Sequence, residues 1–399
     1  MTLSKIKTLA FVLAITAAAS AQFNVPQNAR TAALAGAPMS DITDLYRYPV
    51  LMTGYAEHIQ ATWGGGVIGT KSINDMLLIG ILANQGLMAP GFATAAAARV
   101  DAFIGGGGPG GAPGFINTQF NIPHLLLGFN LGAFSLGADV FFEYAGYNAH
   151  TDAALPQDYS AYIINPGAKI SAAIEAGDFS ILAKAGFGLP SINGETPPSG
   201  SDRLSSASGL YLEMGAEAGL PIGDADWTFG LDYTRSDHRF KVGNTSDANS
   251  VCNSQLTVYI GSEFNFVETA VAALQYAFAR NAQTTSQPDA SGTQNNMDGY
   301  HYHTFSAGIE NAWEKVWIFD SFMLRGGAAY QVEVPVGKTH AANADSNYKS
   351  PGTHTGITPT LGLGFSKAFF TLDIAINPGN WGGVFTGPDV VLATGTIKF

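Results

Sequence analysis

The sequence predicts an all-β protein, a transmembrane antiparallel up-and-down β-barrel of about 14 strands, with about 16 as the alternative. Three observations predict it. Apolar residues recur with period two along most of the chain, short and long links alternate between these segments, and ionisable residues keep to one phase of the alternation.

The period comes first. Phe134, Leu136, Ala138, Val140, Phe142 and Tyr144 share one face; Ser135, Gly137, Asp139 and Glu143 share the other, with Phe141 out of pattern. Leu210, Leu212, Met214 and Ala216 alternate with Tyr211, Glu213, Gly215 and Glu217. Trp227, Phe229, Leu231 and Tyr233 alternate with Thr228, Gly230, Asp232 and Thr234. A helical period would scatter these sets over all faces. About thirteen such segments fit between Ile122 and Phe399, each near the ~9–11 residues a tilted strand needs to cross a bilayer. Ala56 to Asn84 adds one to three more, with Gly64-Gly65-Gly66 and Ser72-Ile73-Asn74-Asp75 as candidate turns.

The links come second. Gly132-Ala133, Gly177-Asp178, Gly223-Asp224-Ala225-Asp226, Val267-Glu268-Thr269 and Ser366-Lys367-Ala368 are short. Gly and Asp supply the backbone freedom of tight hairpins. Residues 86–120, 146–161, 190–208, 241–254, 281–300, 335–354 and 378–388 read as long links. Short turns at one end and long loops at the other are the habit of barrels in bacterial outer membranes.

The chain ends agree with export. Lys5 and Lys7 precede an apolar run from Thr8 to Ala19, and Ala19-Ser20-Ala21 fits a cleavage site between Ala21 and Gln22. The run is short of the ~20 residues of a spanning helix, so residues 1–21 are expected to be a secretory signal. The last residues alternate down to Phe399. A terminal Phe on such a strand resembles the signal that barrel-assembly machinery reads at insertion. The expected layout is a signal over 1–21, a non-alternating segment over 22–55 and a barrel over 56–399. The expected location is the bacterial outer membrane, with its lipid as the surroundings.

Composition excludes several functions. Charged residues make up 13% of the chain and glycine contributes 48 residues, whereas soluble domains carry about 25% charge. Loss of Lys5 and Lys7 with the signal takes the formal net charge from −12 to −14. Such a chain does not suit nucleic acid, which needs clustered Lys and Arg. The lone Cys252 gives neither an internal disulfide nor zinc spacing. Gly105-Gly106-Gly107-Gly108-Pro109-Gly110-Gly111 lacks the Gly-Lys-Ser/Thr ending of a phosphate loop, and 94–102 can form a short helix beside it. His301 and His303 share a strand face, with His340 and His354 in or near a loop, which falls short of a metal set. No Gly-x-Ser-x-Gly motif occurs, and His238 beside Asp237 could be matched to many serines. No enzyme, cofactor or metal is expected.

The phase of the charges marks the lumen, because ionised side chains are costly on the lipid face. The inward set is Asp139, Glu143, Lys169, Glu175, Lys184, Glu213, Glu217, Asp232, Glu263, Glu310 and Arg325. Acids outnumber bases in it by eight to three. A water-filled lumen so lined would favour cations; the alternative is internal pairing that supports a plugged barrel.

Residues 22–55 do not alternate. Asn28-Ala29-Arg30-Thr31-Ala32-Ala33-Leu34-Ala35-Gly36-Ala37 leads to Asp41-Ile42-Thr43-Asp44-Leu45-Tyr46-Arg47-Tyr48-Pro49, where Asp41 can cap a helical turn and Pro49 end it. This stretch resembles the fatty-acid-transporter-like barrels, including the barrel subunits of the type IX secretion system, which open with Ala-Arg, a small-residue Gly run, an Asp, then a Tyr and Asn-Pro. Tyr48-Pro49 and Ala35-Gly36-Ala37 depart from that pattern. The resemblance implies that 22–55 folds into the lumen as a hatch; the alternative is a periplasmic tail. It also implies passage of small, hydrophobic solutes, with Leu34, Leu45, Tyr46, Tyr48 and Phe141 lining a pocket. The rival expectation is an anchor or shuttle for a secreted surface protein.

Overall fold

The computed structural model describes residues 28–35, 37–62, 66–83, 114–121, 124–151, 157–195, 203–242, 249–289, 292–341, 344–349, 353–376 and 391–399. The expected signal with its Ala21–Gln22 junction, the glycine run at 105–111 and the helix at 94–102 lie outside these residues.

Sixteen antiparallel strands close into one barrel, so the count of about 14 is corrected to its alternative. They are β1 His58–Thr62, β2 Val67–Ser72, β3 Leu77–Ala83, β4 in two pieces (Gly114–Asn121 and His124–Asn130), β5 Phe134–Thr151, β6 Gln157–Ala176, β7 in two pieces (Phe179–Gly188 and Ser191–Glu195) and β8 Arg203–Ile222. The rest are β9 Ala225–Val242, β10 Asn249–Val267, β11 Ala270–Asp289, β12 Gly292–Glu314, β13 Ser321–Ala341, β14 in two pieces (Ala344–Lys349 and Thr353–Lys367), β15 Phe370–Ile376 and β16 Val391–Lys398. Each strand pairs with the next, and β1 pairs with β16 from His58↔Lys398 to Thr62↔Thr394. Closure leaves no sheet edge, which a membrane core would not tolerate. The missing pair lay at the start: the stretch before Asn84 holds three strands, the second and third separated at the candidate turn Ser72-Ile73-Asn74-Asp75, while Gly64 and Gly65 of the other candidate lie outside the described residues.

Tight turns join strands at one end. Gly177 and Gly223 take φ of 66° there, a left-handed conformation that glycine adopts without a Cβ penalty. At the other end several expected loops are paired strand. β11 and β12 stay in register to Asp289↔Gly292, so most of 281–300 is ladder. The polar sequence there reads as loop, but an antiparallel hairpin with water on its faces needs no apolar residues.

Among the described residues ahead of β1 are a helix α1, Ala29–Ala33, and two 3-10 helices, Ile42–Tyr46 and Pro49–Tyr55. Asn28 caps α1, its side chain accepting from the Thr31 N–H. Asp41 and Asp44 cap the second helix reciprocally, each side chain accepting a backbone N–H. Such caps satisfy the orphan donors of a helix start.

Candidate functional site

Strand pairing carries the inward phase round the barrel. Asp139 faces Lys169, Gly215 faces Asp232, Glu310 faces Arg325, Gly364 faces Asp373 and Asp373 faces Thr394. The inward side chains form two ionic clusters, and both include an arginine from residues 28–55.

In the first cluster Glu213 is held by Lys184 at 2.5 Å, by Lys169 at 3.2 Å and by the Tyr211 hydroxyl at 3.0 Å. Lys184 also reaches Asp232 at 3.1 Å. Arg47 enters from the segment, 3.2 Å from Glu217 and in contact with Asp232 and the Tyr259 hydroxyl. Its guanidinium lies 4.6 Å from the Tyr259 ring centre and 5.1 Å from that of Tyr48. The Tyr259 hydroxyl donates to Glu217 at 2.5 Å, and Lys169 donates to the Tyr46 carbonyl at 2.7 Å.

In the second cluster Arg325 donates to Asp373 at 2.5 Å and to Glu310, and Glu310 also pairs with Arg30 at 3.0 Å. Arg30 donates to the Ser40 carbonyl at 2.7 Å and lies 3.5 Å from Asp41. Asp41 accepts from the Asn28 amide at 2.5 Å. The Ala29 N–H donates to Thr394 at 2.8 Å, Thr360 donates to the Ala33 carbonyl at 2.8 Å, and the Val50 N–H donates to Ser171 at 2.8 Å. Residues 28–55 thus touch inward-facing groups on β6, β9, β10, β12, β14 and β16.

Two strand glycines permit that approach. A Cβ at Gly137 would lie 2.2 Å from the Val50 nitrogen, and one at Gly327 2.6 Å from the Leu34 carbonyl carbon. Glycine inside a strand often marks such a close backbone contact.

The third kind of contact is apolar. Ile42, Leu45, Tyr46 and Met52 pack on Ile68, Leu78, Leu82 and Leu126, the inward residues of β2, β3 and β4. Leu45 is 0% exposed. Burying a side chain of this kind contributes about 2 kcal/mol.

The residues singled out in the sequence fall as follows. Asp139, Glu143, Lys169, Lys184, Glu213 and Arg325 are buried, and Glu217, Asp232 and Glu310 are partly buried within the ion pairs. Glu263 is half-buried and Glu175 is exposed near the turn end. Leu34, Leu45, Tyr46, Tyr48 and Phe141 are all buried but do not converge. Leu45 and Tyr46 join the apolar contact just described, and Leu34 packs with Ala37, Met39 and Ala273. Tyr48 lies under Arg47 and Lys184, and Phe141 stacks on His124 with ring centres 5.2 Å apart. Phe399 follows the last strand, its N–H donating to Glu57 and its ring 5.3 Å from the Lys71 ammonium.

Sequence reasoning missed Arg30 and Arg47 as lumen charges, because they sit outside the alternating segments. It also missed Asp373, Tyr211, Tyr259 and the buried His124, which lies 3.1 Å from Asp139. These four are on strands, and their phase could have placed them.

The opposite phase is apolar and exposed. Leu125, Val140, Ile170, Phe187, Met214, Leu231, Phe305 and Ile357 all point outward. Stacked pairs Trp227–Phe229 and Trp313–Phe322 add aromatic rings to the same surface. A closed barrel with ions inside and an apolar belt outside is built for lipid. The chain is an outer-membrane β-barrel. No family model matches it, and no curated protein matches it. Among solved structures, the toluene transporter TbuX of Ralstonia pickettii aligns over 94% of this chain and 97% of its own, at 12% identity and a TM-score of 0.40. The copper transporter OprC aligns over 86% and 72%, at 9% identity and a TM-score of 0.39. OmpT, an outer membrane protein of Vibrio cholerae, aligns over 86% and 94%, at 10% identity and a TM-score of 0.30. At these values the reading of this barrel rests on its own geometry.

Proposed function

We propose that this barrel passes small hydrophobic solutes across the outer membrane, and that residues 28–55 are its gate. The observation that carries the reading is the apolar inner wall of Ile68, Leu78, Leu82 and Leu126, covered by Ile42, Leu45, Tyr46 and Met52. A water-filled barrel ordinarily has a polar interior. An apolar patch there is a surface that a hydrophobic solute can take over when the segment moves. The segment is held by charges and backbone contacts on several strands, which suits reversible release better than a fused core does.

The ionic clusters support a gate over a steadily open cation pore. Five acids of the inward phase, Glu213, Glu217, Asp232, Glu310 and Asp373, meet Lys169, Lys184 and Arg325 from the wall, and Arg30 and Arg47 from the segment. Within these clusters the acids and bases match in number, which leaves little uncompensated field there for passing cations.

The test is flux into liposomes bearing the purified barrel. Over the rate into protein-free liposomes, the barrel should speed entry increasingly along a series of uncharged solutes of similar size and rising hydrophobicity, and should not speed entry of sugars of the same size. Equal rates for sugars and apolar solutes would overturn the reading. So would an impermeable barrel that copurifies with a secreted protein, which would point to the anchoring role.

A further inference from the structure

The lipid-facing wall of β9 to β14 carries a groove of about 470 Å³. Its floor consists of small outward residues, Ser262, Ala307 and Ala328, and its sides include Trp227, Phe305 and Tyr330. Ser262 faces Leu274, Leu274 faces Ala307 and Ala307 faces Ala328, so the floor crosses four adjacent strands. Barrel exteriors are normally filled by large apolar side chains, and here Ser262, Ala307 and Ala328 leave room beside Leu274.

Toward the loop end the same outward phase changes chemistry. Tyr276 pairs with Phe305, Phe278 with His303 and Arg280 with His301. His303 accepts or donates at 2.9 Å to the Tyr276 hydroxyl, and its ring centre lies 5.2 Å from that of Phe278. The His301 ring packs edge-on to Phe278 at 5.7 Å. Arg280 is exposed, as is Arg235 on β9, the pairing partner of Ser254. Among the described residues the one carboxylate on this outward band is Asp237, 3.3 Å from Arg235. In a chain of net charge −12 a band of cations and imidazoles on one outer face is not what composition alone would give.

The spacing fits an amphiphile. Leu274 to Arg280 is six residues, roughly 20 Å of strand at about 3.3 Å per residue. A tilt of about 40° brings that to roughly 15 Å of membrane depth, half of a hydrocarbon core of about 30 Å. The groove then lies near the mid-plane and the cations at the headgroups of one leaflet, the leaflet on the loop side.

We propose that this face is a specific site for a phosphorylated lipid of the outer leaflet, with an acyl chain in the groove and the phosphate on Arg280, His301 and Arg235. Guanidinium groups bind phosphate oxygens with charge-assisted, bidentate hydrogen bonds, and imidazole adds a further donor. This goes beyond the gate and does not depend on it.

Native mass spectrometry of the barrel in neutral detergent tests the site, with diphosphorylated and dephosphorylated lipid A as probes. The phosphorylated probe should remain bound to wild type, and the dephosphorylated one should be retained roughly tenfold less, the factor of one lost charged hydrogen bond of about 1.4 kcal/mol. Arg280→Gln with His301→Gln should lower retention of the phosphorylated probe to a similar extent. Ala307→Phe, which fills the groove and leaves the cations in place, should also lower it. Lys367→Gln, an exposed cation at the turn end, should change nothing. Heat-modifiable mobility in gels checks that each variant is folded. Equal retention of the two probes, an unaffected double variant, an unaffected groove variant or an equal loss in Lys367→Gln would each overturn the proposal. Displacement of the lipid by millimolar inorganic phosphate would do so too, by showing a site for free anion.

Discussion

Arg47 is the segment's main ionic hold on β8, β9 and β10, and its removal should loosen residues 42–55 without opening the wall. In Arg47→Met the pairs with Glu217 and Asp232 are lost, with the stacking on Tyr259 and Tyr48. Breaking a buried pair and orphaning its partner costs about 3–5 kcal/mol. Neither carboxylate is orphaned here, since Glu217 keeps the Tyr259 hydroxyl at 2.5 Å and Asp232 keeps Lys184 at 3.1 Å. The Arg47 side chain is also 33% exposed, so water screens part of the attraction. The two cation–π contacts contribute about 0.5–1 kcal/mol each. The loss then comes to about 2 kcal/mol, or roughly a 30-fold rise in the displaced state at about 1.4 kcal/mol per decade. Hydrogen exchange read by mass spectrometry reports it through the amides of Arg47, Tyr48, Val50 and Leu51, which are bonded to Asp44, Ser171 and Tyr48. Exchange across 42–55 should accelerate roughly 30-fold while β8 to β10 stay protected. Unchanged exchange in the segment would refute the reasoning, as would equal loss of protection in those strands.

Other outcomes follow from the same contacts. Gly137→Leu puts side-chain atoms where Val50 lies, since a Cβ alone would sit 2.2 Å from its nitrogen. Overpacking of this kind costs about 1–3 kcal/mol, so steady conductance should rise while the heat-modifiable gel shift remains. Asp44 gives a pH dependence: burial, with help from Asp41 and Glu217, pushes its carboxyl up to about 7 from an ordinary value of 3.8. A carboxyl whose docked pKa lies above its released pKa binds more protons when docked, so docking weakens as pH rises. Asp44's part in holding the segment should be greatest below about pH 4, fade between about pH 4 and 7 and change little above. Asp44→Asn should flatten that profile in open probability measured across the range. Arg30→Gln removes the pair with Glu310 but leaves Arg325 on that carboxylate, and its effect on exchange in 29–35 should be smaller than that of Arg47→Met on 42–55.

Most of the wall was legible because a barrel strand writes its two environments into alternate residues. Leu210 to Ala218 could face lipid on one phase and carry Glu213 and Glu217 on the other, and no other element explains both. Phe141 broke the pattern for a local reason, since it faces inward and stacks on His124. The first strands were harder. Ile68 and Leu78 are apolar residues that face inward against the segment, so β3 has no polar phase to announce the lumen and β2 offers only hydroxyls such as Thr70. The ends of β11 to β14 were read as loops because a ladder standing in water carries polar residues on both faces. The assembly around Arg47 was not legible at all. Its partners Glu217, Asp232 and Tyr259 come from three strands, and only the paired strands of the folded chain bring them to one guanidinium.

Planar-bilayer recording of the full chain beside a chain lacking residues 28–55 tests the gate most directly, with heat-modifiable mobility confirming that both are folded. The account predicts little steady current from the full chain and a stable, much larger current from the shortened one. A full chain that conducts as steadily as the shortened chain, or a folded shortened chain that stays closed, would contradict it.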